Sequence, residues 1–277
     1  MKKIGFIDYY LDEWHANNYP QMIKDACGDE MTVCYAWGKI DAPNGRTNKQ
    51  WAVDYGVTLL DSIEEVIEKS DYLVLLSPDN PEMHEELALL PTASGKRLYI
   101  DKTFAPDAET AKRIFERADE YGTPCYSSSA LNFAEELKNA KKEDVEYIAS
   151  FGSGDYEIHS IHQIEQVAVL MGGGAKSVMY TGSPKFPSFK VQFEGERYAD
   201  MVLMPGRFRM HIGYKDGKAA DYSVESPFFA HFIENMLEFF RTGEIPVPHA
   251  QTVEVIAIRE ASIRAKKTPF VWVDIEK

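Results

Sequence analysis

Two groups of residues in this sequence have types and spacing suited to chemistry. The first is Asp101-Lys102, which directly follows the short apolar run Leu98–Ile100. That run reads as a buried strand carrying both side chains to its C-terminal end, where an open parallel sheet binds its ligands. A lysine beside a carboxylate there can hydrogen-bond a substrate oxygen or titrate in a reaction. The plain alternative is a solvated lysine closing a strand. The second group is His159, His162 and Glu165, at i, i+3 and i+6 on one stripe of a helix over residues 157–171. His162 suits a general base, with Glu165 orienting its ring. The same side chains could ligate zinc, or form a partly solvated helix face.

The elements that must position these groups follow from patterning. Residues 3–7, 31–36, 72–76, 98–100 and 124–126 read as strands, and 72–76 is apolar throughout, as in a strand buried on both faces. Between them lie helical signals. Pro20 suits the first turn of a helix running to residue 26, after a loop over residues 9–18 that admits a helical turn after Asp12. Ser62 with Glu65 forms a capping box. Asn80-Pro81 is a cap followed by a helix-starting proline. Strands alternating with helices predict an α/β, doubly wound, Rossmann-like parallel sheet.

Beyond residue 127 the pattern changes to strands over 145–149, 189–193, 198–203, 209–214 and 219–224, with Asp216-Gly217 as a type I′ hairpin signal. Helices are expected over 157–171, after Ser226-Pro227 and over 250–266, and a closing strand over 270–274. The stripe of Phe228, Phe229, Phe232 and Phe240 reads as packing. The prediction is two domains: residues 1–127, Rossmann-like and of nucleotide-binding type, and residues 128–277, an α+β substrate and dimerisation domain with a mainly antiparallel open sheet.

The chain has 277 residues, 44% hydrophobic and 12% aromatic, enough for a sizeable core. Its formal charge of −14 argues against nucleic acid and anionic membranes as partners. No apolar run is long enough to span a bilayer. Cys27, Cys34 and Cys125 lack metal spacing, and an odd number of thiols behind a strand-like start suggests a reducing cytoplasm.

The first strand-to-helix turn, Asp8-Tyr-Tyr-Leu-Asp-Glu-Trp-His15, lacks the glycines that let a backbone approach a pyrophosphate. It carries two tyrosines and three carboxylates, which would repel one. The second strand ends in Trp37-Gly-Lys39, without the acidic residue that binds a ribose.

Taken together, these segments resemble the glucose-fructose oxidoreductase / inositol dehydrogenase / MocA family, over nearly the whole chain. Leu76-Ser-Pro-Asp-Asn-Pro-Glu-Met-His84 is similar to that family's turn after the fourth strand. Tyr99-Ile-Asp-Lys-Thr-Phe-Ala105 is similar to its Glu-Lys-Pro signature, with Thr103 in place of the proline. Ser160-Ile-His-Gln-Ile-Glu165 resembles its His-x-x-Asp motif. The resemblance implies NAD or NADP as cofactor, and a sugar, polyol or related hydroxyl as substrate. It implies Lys102, His162 and Glu165 as catalytic residues. It also implies Asp8, Tyr9, Ser77, Pro78, Asn80, His84, Asp101 and Lys102 at the cofactor, and a dimer or larger homo-oligomer through the open sheet.

Two functions are weighed. One is an oxidoreductase in which Lys102 holds the reacting oxygen and His162 takes its proton. The other is a binding or regulatory protein that keeps the fold without the dinucleotide, with Asp8, Asp12, Glu13 and His15 lining a pocket. A metal-assisted lyase or hydrolase using His159, His162 and Glu165 ranks third.

Overall fold

Apolar strands buried on both faces must pair with one another and be covered by helices. The computed structural model, which describes residues 1–276, shows this in the first half of the chain. β1 (Lys2–Asp8), β2 (Met31–Gly38), β3 (Thr58–Leu59), β4 (Tyr72–Leu75), β5 (Leu98–Ile100) and β6 (Cys125–Tyr126) form one parallel sheet in the order β3-β2-β1-β4-β5-β6. Strand order reverses between β1 and β4, so the ligand crevice is expected at their C-terminal ends. Gly5 in β1 is required by close packing. A Cβ there would lie 2.3 Å from Ser70 Oγ and 2.5 Å from Val66 Cγ1, where α3 (Ile63–Lys69) meets the strand.

Helix α1 (Trp14–Cys27) starts six residues before Pro20, which lies inside it. The helical turn admitted after Asp12 is thus the first turn of α1, and the loop ends there and not at residue 18. The reason is Glu13, which caps the helix with its own carboxylate and lets it begin early. α2 (Asn48–Tyr55), α4 (His84–Ala88) and α5 (Ala108–Glu120) complete the set.

Two units partition the chain. One comprises Met1–Ala105, Thr110–Ser128 and Ala230–Pro248; the other Pro106–Glu109, Ser129–Phe229 and His249 onwards. α8 (Phe228–Thr242) thus returns the chain to the first unit from Ala230 on; of the expected stripe Phe232 and Phe240 are packing, whereas Phe228 and Phe229 are half-buried and belong to the second unit. Phe232, Phe239 and Phe240 lie 5.2, 4.9 and 4.9 Å, centroid to centroid, from Tyr99, Tyr126 and Tyr72.

The second unit holds α6 (Glu135–Asn139), β7 (Val145–Gly152), α7 (Tyr156–Met171), β8 (Ala175–Tyr180), β9 (Ser188–Phe193), β10 (Arg197–Leu203), β11 (Arg209–Tyr214), β12 (Ala219–Ser223), α9 (His249–Ala265) and β13 (Trp272–Asp274). Its sheet runs β12-β11-β7-β10-β9-β8-β13, antiparallel except for the β7–β10 pair. Phe189, Val191, Met201 and Ile212 face the core. Lys190, Asp200 and His211 alternate with them on a part-exposed face. β8 has no counterpart in the sequence reading, because it does not alternate cleanly: Ser177 is buried and the pairing slips between Ala175 and Ser177. The β11–β12 hairpin forms, but not through a type I′ turn. Gly217 has φ of 80° while Asp216 stays out of the left-handed region. Among the described residues, no helix is long and apolar enough to cross a membrane.

Candidate active site

In the first unit, β1 ends at Asp8 and β5 leads into Asp101 and Lys102, so the sheet itself brings these three to one edge. Asp8 is 1% exposed, and neither carboxylate oxygen has a hydrogen-bond partner. Burial raises its pKa well above the carboxylate range, and Glu13 and Asp101 add to the rise; the nearby Tyr9 and Tyr10 amides, outside hydrogen-bond geometry, oppose it only in part. Asp101 is equally buried. Its Oδ1 accepts from the Tyr99 hydroxyl at 2.7 Å, and its Oδ2 lies 3.6 Å from His15 Nε2. The other ring nitrogen of His15 is 2.9 Å from Glu13 Oε2. Burial pulls the His15 pKa down, but Asp101 and Glu13 outweigh it and the net shift is upward. His15 thus bridges two carboxylates, and their charge favours its protonated form.

Lys102 is 7% exposed. Its ammonium lies 3.9 Å from Asp79 Oδ1, and Asp79 is itself largely in solvent. The Lys102–Thr103 peptide bond is cis. Beside it runs the turn after β4, where Ser77 is buried with φ of 78° and Asn80 N donates to Ser77 O at 3.2 Å. Pro78 is buried in the same turn. His84 is fully buried, with Nδ1 2.9 Å from Phe104 O and Nε2 2.7 Å from Leu76 O. Its ring therefore ties the turn after β4 to the turn after β5, and both ring nitrogens are occupied by main chain. Burial lowers its pKa against the opposing pull of those carbonyls and Asp101. Tyr9 stays at the first turn, where its carbonyl accepts from Ile40 N at 2.9 Å.

The second unit carries the other expected residues on α7. His162 Nδ1 is 2.7 Å from Ser129 Oγ, and Glu165 Oε2 accepts from Ser129 N at 2.6 Å. At Nδ1 the ring is thus held by Ser129, and the carboxylate holds Ser129. His159 Nδ1 accepts from Asp155 N at 2.8 Å at the start of α7, a structural task. Among the described residues, no group of three or more His, Cys, Asp or Glu side chains is arranged to hold a metal. The sequence reading does not single out Ser129, and it names Glu13 as a pocket residue but not as the cap of α1. A helix-start signal, an acid just ahead of Trp14, was available for Glu13.

A cavity of about 500 Å³ opens at the ends of β2 and β3, lined by Trp37, Lys39, Asp41, Thr47, Lys49 and Leu60. Lys39 is already paired with Glu86 at 2.5 Å.

No protein-family model matches the chain. Solved structures of similar fold include GenD2 from gentamicin A biosynthesis in complex with NAD (TM-score 0.81, 11% identity, covering 100% of this chain and 97% of that one). They also include scyllo-inositol dehydrogenase from Lactobacillus casei (TM-score 0.79, 12% identity, 99% and 98%). A third is the UDP-N-acetylglucosamine 3-dehydrogenase GnnA from Acidithiobacillus ferrooxidans (TM-score 0.77, 14% identity, 97% and 97%). A curated relative, an "Uncharacterized oxidoreductase" of Streptococcus pneumoniae serotype 4, is 24% identical over 200 residues, 62% of this chain. The chain spans half the length of that relative. The two-sheet fold is that of the glucose-fructose oxidoreductase / inositol dehydrogenase / MocA type, as the sequence resemblance implied.

Proposed function

We propose that this protein is an oxidoreductase acting on a hydroxyl-bearing carbon of a sugar, polyol or related small molecule. The observation that carries the reading is Lys102, an ammonium held at the C-terminal end of β5 with one distant, solvated partner. Such a group can donate a hydrogen bond to the reacting oxygen and stabilise the charge that develops there. His162 is the proposed base. For Nε2 to take the hydroxyl proton, Nδ1–H must donate to Ser129 Oγ, which lies within reach. The reading implies NAD or NADP, the cofactor type of GenD2.

The residues of the β1–α1 turn do not fit that cofactor's pyrophosphate, since buried carboxylates stand where it would lie. The same misfit favours a second reading, a small-molecule-binding protein that keeps the fold without the dinucleotide. Incubation with a panel of inositols, hexoses and nucleotide sugars at millimolar NAD or NADP separates the two. Turnover lost in both Lys102→Met and His162→Ala, with the double variant no worse than the poorer single, supports the enzyme. No turnover from any panel member, together with binding of one of them, supports the second reading.

The part-exposed face of the seven-strand sheet is proposed as a homodimer surface. Light scattering at the 31.4 kDa of a single chain would refute it. The three free thiols fit the cytoplasm; fractionation of the native cells, with the protein outside the cytoplasmic fraction, would refute that.

A further inference from the structure

An anion-binding turn works by pointing unsatisfied main-chain N–H groups at the ligand from a helix N-terminus. In this chain two of those groups are already used. Glu13 accepts from His15 N at 2.7 Å through Oε2 and from Ala16 N through Oε1. The His15 ring holds the same Oε2 from a second side at 2.9 Å. Leu11 N, further back in the turn, donates to Asn48 Oδ1 at 2.9 Å. Asn48 is buried and pinned by the carbonyls of Ile40 and Gly38 at 2.7 and 3.1 Å.

Charge points the same way. The nearby cation, Arg46, is committed to Asp12 through Nη2 at 2.6 Å, Nε at 3.1 Å and its main-chain N at 2.7 Å. That guanidinium holds the Asp12 pKa down at about 2, so Asp12 stays ionised across the working range. Asp8 lies beneath the turn with no hydrogen-bond partner for either carboxylate oxygen.

We infer that the β1–α1 turn is a self-filled anion cradle. Glu13 occupies the helix N-terminus as a phosphate would, Asp8 backs it, and the protein does not grip pyrophosphate there. Any dinucleotide it uses is held only through its other parts. This separates cofactor affinity from the proposed reaction, because turnover at millimolar cofactor remains possible while tight binding does not.

The test is calorimetric titration of the full chain with NADH, NADPH and inorganic pyrophosphate. The parent is expected to bind each with a Kd of about 0.1 mM or weaker. Glu13→Ala uncovers the two N–H groups, and Asp8→Asn removes the titratable carboxyl behind them, which an approaching anion would otherwise keep protonated. Together they are expected to tighten NADH and pyrophosphate by about tenfold or more. Glu13→Gln keeps a neutral cap and should give a smaller gain. Low-micromolar binding of NADH by the parent overturns the inference, as does a folded double variant that binds no more tightly. If circular dichroism shows the double variant unfolded, the parent and Glu13→Gln titrations decide: unchanged affinity in Glu13→Gln overturns it.

Discussion

Replacing Lys102 by methionine is expected to reduce turnover by about a thousandfold or more, while the melting temperature stays within about 2 °C of the parent. The two halves of this expectation have separate causes. Methionine keeps most of the aliphatic stem, so packing around a side chain that is 9% exposed changes little. The lost ion pair is a single 3.9 Å contact to Asp79, whose side chain is 55% exposed, and such pairs contribute little to stability. Removing a poorly compensated buried ammonium also removes a desolvation cost. Activity has no such cushion. In the proposed reaction the ammonium meets the oxygen on which charge builds, and a thioether cannot donate to it. Turnover above about a tenth of the parent's would sink the role assigned to Lys102. A melting temperature lower by many degrees would show a structural role instead.

The sequence made Lys102 legible for a local reason. Leu98–Ile100 is apolar and β5 is buried, so the next polar residues had to emerge at the strand end. The same logic located β4 and the alternating strands of the second sheet, because side-chain period reports local structure. What it could not report is contact between distant segments. Ser129 stands 33 residues from His162 and holds its ring. α8 lies more than a hundred residues beyond β5 yet packs on Tyr99. Pro20 misled because a proline is compatible with a first turn, and only the Glu13 cap shows that the helix had already begun. The acidic turn was legible as unsuited to phosphate. That its carboxylates occupy the helix N–H groups themselves was not, since capping depends on a side-chain rotamer.

His84→Phe is expected to cause the largest loss of stability, at least about 2 kcal/mol and more than about 5 °C in melting temperature. The ring is a clamp. One imidazole reaches Leu76 O at 2.7 Å and Phe104 O at 2.9 Å, and so fixes the turn carrying Ser77 against the segment that follows Lys102. Phenylalanine fills a similar volume but has no N–H, so the carbonyl to which the neutral ring donates is left buried without that donor, at about 1–3 kcal/mol, and the second ring contact is lost with it. A pH series separates the clamp from simple overpacking. The folded-state pKa of His84 lies below its unfolded value, so the unfolded chain takes up the extra proton as pH falls below about 6.5. The parent therefore loses this stability between pH 7 and 5, whereas the phenylalanine variant has no such group to titrate. The gap between the two should narrow across that window. His15, whose pKa shifts the opposite way, is present in both proteins and cancels in the difference. Turnover should fall as well, because Lys102 is positioned by the segment that the ring holds. A variant melting within about 1 °C of the parent, or a gap independent of pH, would mean that the two turns hold each other without the imidazole.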